Sequence, residues 1–311
     1  MALILADVGG TNVRFASVAE GSATPAQIQR FQNDDYASFD AALSAYRAAI
    51  GLGVVSALSV AVAGPVTDGK ARLTNRGWDF SAEALARAHG FGRVYLLNDL
   101  SALGYALDSL AADGLAPVLE TDAPASGADQ RLVVGVGTGF NVSPVLSLGG
   151  SSVCLRAEAG LGSLPSRVAR LLEDYVGGET PWVRCAEDAV RGPGLAELHA
   201  AATGLPKIDA RDVIAAANTG DAAADASVKI YARMLGELVL DLRLLYMPQG
   251  GIFMAGSVVR GLLDSPARDT FIDTLRAPAS VKSSLAPVPV SLITQDEAAL
   301  RGCLAFAQAW A

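Results

Sequence analysis

Apolar and polar positions alternate along this chain in two rhythms. Leu3 to Ala6, Val13 to Val18, Ala57 to Ala63 and Arg93 to Leu97 are short apolar runs bounded by glycine or polar residues, and they read as strands. Phe39 to Ile50 reads as a helix, as does the stretch from a Ser81 cap to a Gly90 cap. Alternating strands and helices predict α/β layers. The first two strands flank Gly9-Gly10-Thr11-Asn12 and predict a hairpin with a wide glycine tip. The chain turns polar, with Pro and Gly, from Glu120 to Gln130, the best place for a domain boundary or surface loop. Beyond it, Arg131 to Val142 is strand, Gly137-Thr138-Gly139 turn and strand again, an echo of the N-terminus. Val228, Tyr231, Leu235, Leu238, Leu242 and Leu245 recur at spacings of three and four and predict a long core-packing helix ended by Pro248 and Gly250. A strand over Gly251 to Ala255 and a closing helix over Asp296 to Ala311, packed back on the first domain, complete the pattern.

Composition narrows the ligands. With 311 residues and 51% apolar content the chain can build two cored domains. Its 24 Lys+Arg against 32 Asp+Glu leave a net charge of −8 with no basic block, so nucleic acid is not expected as a partner. No uncharged apolar stretch approaches the roughly 18 residues of a membrane helix, and the uncharged Val54 to Val66 reads as a buried strand. The opening Met-Ala-Leu-Ile-Leu-Ala is too short for a signal segment and lacks a basic flank, so a cytoplasmic protein is expected. Cys154, Cys185 and Cys303 lie far apart and the histidines are His89 and His199, which leaves no material for structural zinc.

The candidate chemistry lies in the turns. Gly9, Gly10, Gly137 and Gly139 let backbone N–H groups approach an anion, and Thr11 and Thr138 add hydroxyls, the chemistry of a triphosphate site. Each turn alone is equally an ordinary tight turn; the matching pair favours the site. Asp7, ending a buried strand, needs a cation, a metal-bound water or donors, and a hydrated Mg²⁺ on nucleotide phosphates would serve. Gly64 to Lys70 fits G-x-x-x-x-G-K, but Ala71 stands where a P-loop needs Ser or Thr, and strand rather than helix follows. Asn98-Asp99 ends an apolar strand where a helix begins. Asp99 is there either an N-cap or a ligand-facing carboxylate able to act as general base, and Asn98 suits a sugar diol. Trp78, in the polar loop from Leu73 to Ser81, is either core or a ring face for a polyol, and Glu158 and Glu187 are either solvated acids or acceptors for sugar hydroxyls.

Together Asp7-x-Gly-Gly-Thr-Asn, Leu73-Thr-Asn-x-x-Trp78-x-x-Ser81, Asn98-Asp99, Gly137-Thr138-Gly139, Glu187 before Gly192-Pro193-Gly194, and Met254-Ala-Gly256 resemble bacterial glucokinases of the hexokinase/actin-like ATPase superfamily, non-repressor type, over nearly the whole chain. The resemblance implies a two-domain actin-like ATPase (ribonuclease H-like) α/β fold. A small domain of residues 1–110 plus 298–311 and a large domain of 111–297 would close an interdomain cleft on sugar and ATP. It implies ATP-dependent phosphorylation of glucose at its C6 hydroxyl by in-line transfer, with Asp99 as base and Asn75, Asn98, Asp99, Glu158 and Glu187 on the sugar. Asp7, Gly9, Gly10, Thr11, Asn12, Gly137, Thr138, Gly139 and Gly256 would hold ATP, with Asp7 acting on Mg²⁺ through water. A homodimer is expected.

One departure stands out. The family's sugar loop is Glu-Gly-Gly-His, whereas this chain has Glu158-Ala159-Gly160-Leu161. One lost hydrogen bond costs about 1 kcal/mol where water substitutes and up to about 3 where a hydroxyl is left buried and unpaired. A kinase for another hexose or hexose derivative, or a non-catalytic sugar sensor on the same fold, are the alternatives.

Overall fold

Strands β1 (Leu3–Val8) and β2 (Asn12–Val18) pair antiparallel in register Val8↔Val13, forming a hairpin tipped by the glycine turn. They begin the computed structural model, which describes residues 2–51, 55–73, 76–110, 112–121, 129–277 and 286–310. Next come β3 (Ala26–Gln32), α1 (Phe39–Ile50), β4 (Ala57–Val62), β5 (Val66–Thr67), β6 (Lys70–Arg72), β7 (Asp79–Ser81), α2 (Ala82–His89), β8 (Arg93–Asn98) and α3 (Asp99–Ala106). The helix ends follow capping chemistry. Ser38 and Ser81 accept from Ala41 N–H and Ala84 N–H, and Gly51 and Gly90 close α1 and α2 in the left-handed conformation.

The main sheet of this unit runs β3-β2-β1-β4-β8. β1, β4 and β8 are mutually parallel, with Val8↔Val62 and Val62↔Asn98 in register, so their carboxyl ends share one edge. All six residues of β4 are buried, as a parallel strand covered on both faces requires. The Gly64–Lys70 stretch is a hairpin. β5 and β6 pair antiparallel around Asp68 and Gly69, both at positive φ, the geometry an Asp-Gly hairpin turn takes.

The chain continues with β9 (Leu115–Leu119), β10 (Gln130–Val136), β11 (Phe140–Leu148), β12 (Ser151–Cys154), α4 (Ser166–Val176), α5 (Ala186–Val190), α6 (Gly192–Thr203), α7 (Ala210–Asn218), α8 (Ala222–Tyr246), β13 (Ile252–Ala255), α9 (Ser257–Leu263), α10 (Arg268–Arg276), β14 (Val290–Ile293) and α11 (Ala298–Ala309). The second sheet has the order β12-β11-β10-β13-β14-β9, with β10, β13 and β14 parallel. The long amphipathic helix is α8. Asp221 caps its start by accepting from Ala224 N–H, and Met247 ends it at φ 45° just before Pro248.

Two units result: Met1–Gly114 with Ser151–Cys154 and Gln295–Ala311, and Leu115–Gly150 with Leu155–Thr294. The short β12 belongs with the first because Ser152 Oγ donates to Asp108 Oδ2 and Cys154 Sγ reaches Ser101 O at 3.3 Å. In the first unit the period of two sorts β1 onto both faces. Ile4, Ala6 and Val8 pack with Phe15, Phe39, Leu43 and Tyr46, whereas Leu3 and Leu5 pack with Leu300, Cys303 and Leu304 of α11. The core of the second unit joins Leu132, Val134 and Phe140 of its sheet to Tyr231, Leu235 and Leu238 of α8.

Candidate active site

In the first unit the glycine turn is built from behind. Gly9 N–H donates to Asn12 O at 2.9 Å and closes the tip. The fully buried Asn33, just after β3, then gathers the tip's carbonyls: its Nδ2 donates to Gly9 O at 2.8 Å and Gly10 O at 3.1 Å, and its N–H donates to Thr11 O at 2.8 Å. In a trans peptide the C=O and the following N–H point in opposite directions. Drawing three successive carbonyls toward Asn33 therefore aims the N–H groups of Gly10, Thr11 and Asn12 outward, a nest suited to anionic oxygen. Asn12 Oδ1 is buried and, among the described residues, has no partner.

Two carboxylates flank that tip at the carboxyl ends of parallel strands. Asp7, in β1, is a quarter exposed and faces Arg14 at 3.6 Å; burial pushes its pKa up against the pull of Arg14. Asp99 is the first residue of α3. The capping role that the sequence left open for it falls to Asn98, whose Oδ1 accepts from Leu100 N–H at 3.0 Å and Ser101 N–H at 3.4 Å while its Nδ2 donates to Gly64 O at 3.1 Å. Asp99 Oδ1 accepts from the helix start, at Leu100 N–H, 2.9 Å. Burial pushes the Asp99 pKa up to about 6, against the Leu100 N–H bond and with help from the Asp7 charge. A half-buried carboxyl titrating close to neutrality at a sheet's carboxyl edge has the properties of a general base.

In the second unit the corresponding turn is held by backbone. Gly137 N–H donates to Gly139 O at 2.9 Å, and Gly192 N–H at the start of α6 donates to Gly137 O at 2.8 Å. Gly256, with φ 110°, lies so close to the end of β10 that a Cβ would sit 2.3 Å from Val136 O, so only glycine fits. Glu187, in α5, accepts from Phe140 N–H at 3.0 Å through Oε2 and faces Arg191 at 3.6 Å through Oε1. Asn141 pins the loop carrying Glu158: its Nδ2 donates to Ala157 O at 2.8 Å and Glu158 Oε2 at 2.9 Å, and its Oδ1 accepts from Ala159 N–H at 3.0 Å. Burial and the nearby Glu187 charge both raise the Glu158 pKa, against the Asn141 bond. Leu161 is 67% exposed.

The first unit thus brings Asp7, Gly9 to Asn12, Asn98 and Asp99 to one sheet edge, and the second brings Gly137 to Gly139, Glu158, Glu187 and Gly256 around one turn. Asn75 lies outside the described residues. Trp78 is core, 5% exposed, with Arg76 across its ring at 5.4 Å. Sequence reasoning passed over Asn33 and Asn141; a lone polar residue beside or within a strand was their only signal. Among the described residues no three acidic, His or Cys side chains form a metal cluster. The Asp7 carboxylate beside the glycine tip nevertheless fits Mg²⁺, which takes one or two protein carboxylates and fills its shell with water and phosphate. No described helix is long and apolar enough to cross a membrane.

Comparison with known proteins places these features in company. The glucokinase family model matches residues 4–310. A glucokinase of Cupriavidus metallidurans is 31% identical over 313 residues, spanning 96% of this chain and 91% of that protein. The crystal structure of a glucokinase from an Antarctic psychrotroph matches with a TM-score of 0.77 at 27% identity, over 99% of both chains. A ROK family glucokinase from Streptomyces griseus, solved in complex with glucose and AMPPNP, has the same fold: TM-score 0.65 at 21% identity, over 99% of this chain and 100% of that one.

Proposed function

Because this chain belongs to the glucokinase family of ATP-dependent hexose kinases, with their two-domain actin-like ATPase fold, we infer that it phosphorylates glucose at the C6 hydroxyl with Asp99 as general base. Asp99 carries this reading: its carboxyl stands at the carboxyl end of β8 with its pKa raised to about 6. Ionised, it accepts the proton of the C6 hydroxyl as that oxygen forms its bond to the γ-phosphorus in line with the breaking bond to ADP. The outward N–H groups of the Gly9 to Asn12 tip and the Gly137-Thr138-Gly139 turn hold phosphate oxygens, and Gly256 lies by the adenosine. Asn75, Asn98, Glu158 and Glu187 hold the other sugar hydroxyls. For Asn98 this means sharing an amide already used as a helix cap. Asp7 would hold Mg²⁺ through water, which when bound would supply positive charge against the phosphates. A cytoplasmic homodimer belongs to the same reading, and light scattering on the purified protein tests the dimer.

The test is Asp99→Asn in a coupled assay with glucose and ATP. A fall in kcat of about 10²- to 10⁴-fold is expected; a loss smaller than about tenfold removes Asp99 as base. The same assay over a panel of hexoses, on wild type and Leu161→His, measures what Leu161 does to sugar choice.

A further inference from the structure

Arg76 reaches the glycine tip through the buried Asn33. Arg76 Nη1 donates to Asn33 O at 3.0 Å, and its Nη2 donates to Asp34 Oδ1. Its guanidinium lies across buried Trp78, whose carbonyl in turn accepts from Leu73 N–H at 3.0 Å. Asn33 then makes its three bonds to the carbonyls of Gly9, Gly10 and Thr11. Packing alone does not explain an amide at this position. Asn33 is fully buried, and its Oδ1 has no partner among the described residues, a cost an apolar side chain would avoid. What the amide supplies is a donor to two adjacent carbonyls, and that donor is what turns the N–H groups of Gly10 and Thr11 outward.

We propose that Asn33 is a positioning residue for the phosphate donor, and that Arg76, braced on Trp78, holds Asn33 in place. The proposal rests on the reading of the Gly9 to Asn12 tip as a phosphate seat. Neither residue touches substrate; both act through the orientation of the tip's N–H groups. Their loss therefore raises KM for ATP and weakens ADP binding, while KM for glucose stays unchanged.

The experiment measures KM for ATP, KM for glucose, ADP affinity by calorimetry and Tm for Asn33→Asp, Arg76→Ala, Arg76→Lys and Thr11→Ala. Asn33→Asp keeps the shape but replaces the donor by an acceptor, and should raise KM for ATP about tenfold or more with KM for glucose within about twofold. Arg76→Ala should raise it about threefold to fivefold, with Arg76→Lys recovering most of the loss. Arg76→Ala keeps a readout if Asn33→Asp does not fold. Parallel rises in both KM values, or a lowered Tm with unchanged ADP affinity, overturn the proposal. If Thr11→Ala weakens ADP binding and the Asn33 and Arg76 variants do not, the tip is the phosphate seat and the positioning link is wrong. If none of the variants changes ADP affinity, the reading of the tip fails and the proposal falls with it.

Discussion

The two glycine turns look alike in sequence and are held by opposite means. The tip between β1 and β2 is shaped by one side chain, Asn33, with Arg76, itself against Trp78, behind it. The turn between β10 and β11 is shaped by backbone, from Gly192 N–H at a helix start and from Gly256 pressed against Val136. Side-chain support can be tuned or lost one hydrogen bond at a time, at about 1 kcal/mol each. At Gly256 the backbone support is steric: it tolerates little and fails through packing. The second turn also ties a carboxylate to itself, since Glu187 accepts from Phe140 N–H, so the group read as binding sugar is part of the phosphate turn's frame.

The harshest test of this contrast is alanine at glycine. Gly256→Ala would place a Cβ 2.3 Å from a backbone carbonyl at φ 110°, and should cost the second unit at least about 3 kcal/mol or its fold altogether, read in a urea melt. Gly9→Ala would meet Asn12 O at an ordinary 3.6 Å and should stay within about 1 kcal/mol. Equal effects would erase the distinction.

Asp99→Asn comes next, and stability and activity should part there. The folded pKa of Asp99, about 6, lies above its ordinary 3.8, so the folded state binds this proton more tightly than the unfolded chain. The stabilisation is full below about pH 4 and is lost as pH rises through 6; at pH 7 the ionised carboxylate is a net burden. Removing it should raise stability at pH 7 by about 2 kcal/mol while kcat collapses, checked by the same melt beside the kinetic assay. The pH profile follows from the same shift. In the wild type kcat/KM should fall about tenfold per pH unit below about 6, as Asp99 takes up its proton, and the residual activity of Asp99→Asn should lack that limb.

The smallest effect belongs to Glu187→Gln. The amide oxygen still accepts from Phe140 N–H, so stability should move by less than about 1 kcal/mol. Its lost charge should let the Glu158 pKa fall toward the ordinary carboxylate value, seen by NMR titration of the side chain; an unmoved Glu158 would mean that burial alone raises it.

Much of this was legible from local pattern. The period of two in β1 and β2, the three-and-four spacing in α8, and the Ser81 and Gly90 caps are set by neighbours in sequence, and the structure repeats them within a few residues. The glycine turns were equally visible, because glycine between two strands has few other uses. Asn33 was not, since its partners lie 24 residues back at Gly9 and 43 residues on at Arg76, and no periodicity reports a bond of that length. The role of Asn98 as the helix cap beside Asp99, and the allegiance of Ser151–Cys154 to the first unit, depend likewise on packing.

The sequence by itself determined which residues could grip phosphate, take a proton and line a core, because side-chain chemistry and hydrophobic period are properties of the chain alone. The tertiary structure decided which way the turn's N–H groups face and how far the Asp99 carboxyl is raised. Both follow from which distant atoms surround a group and from how much water they displace.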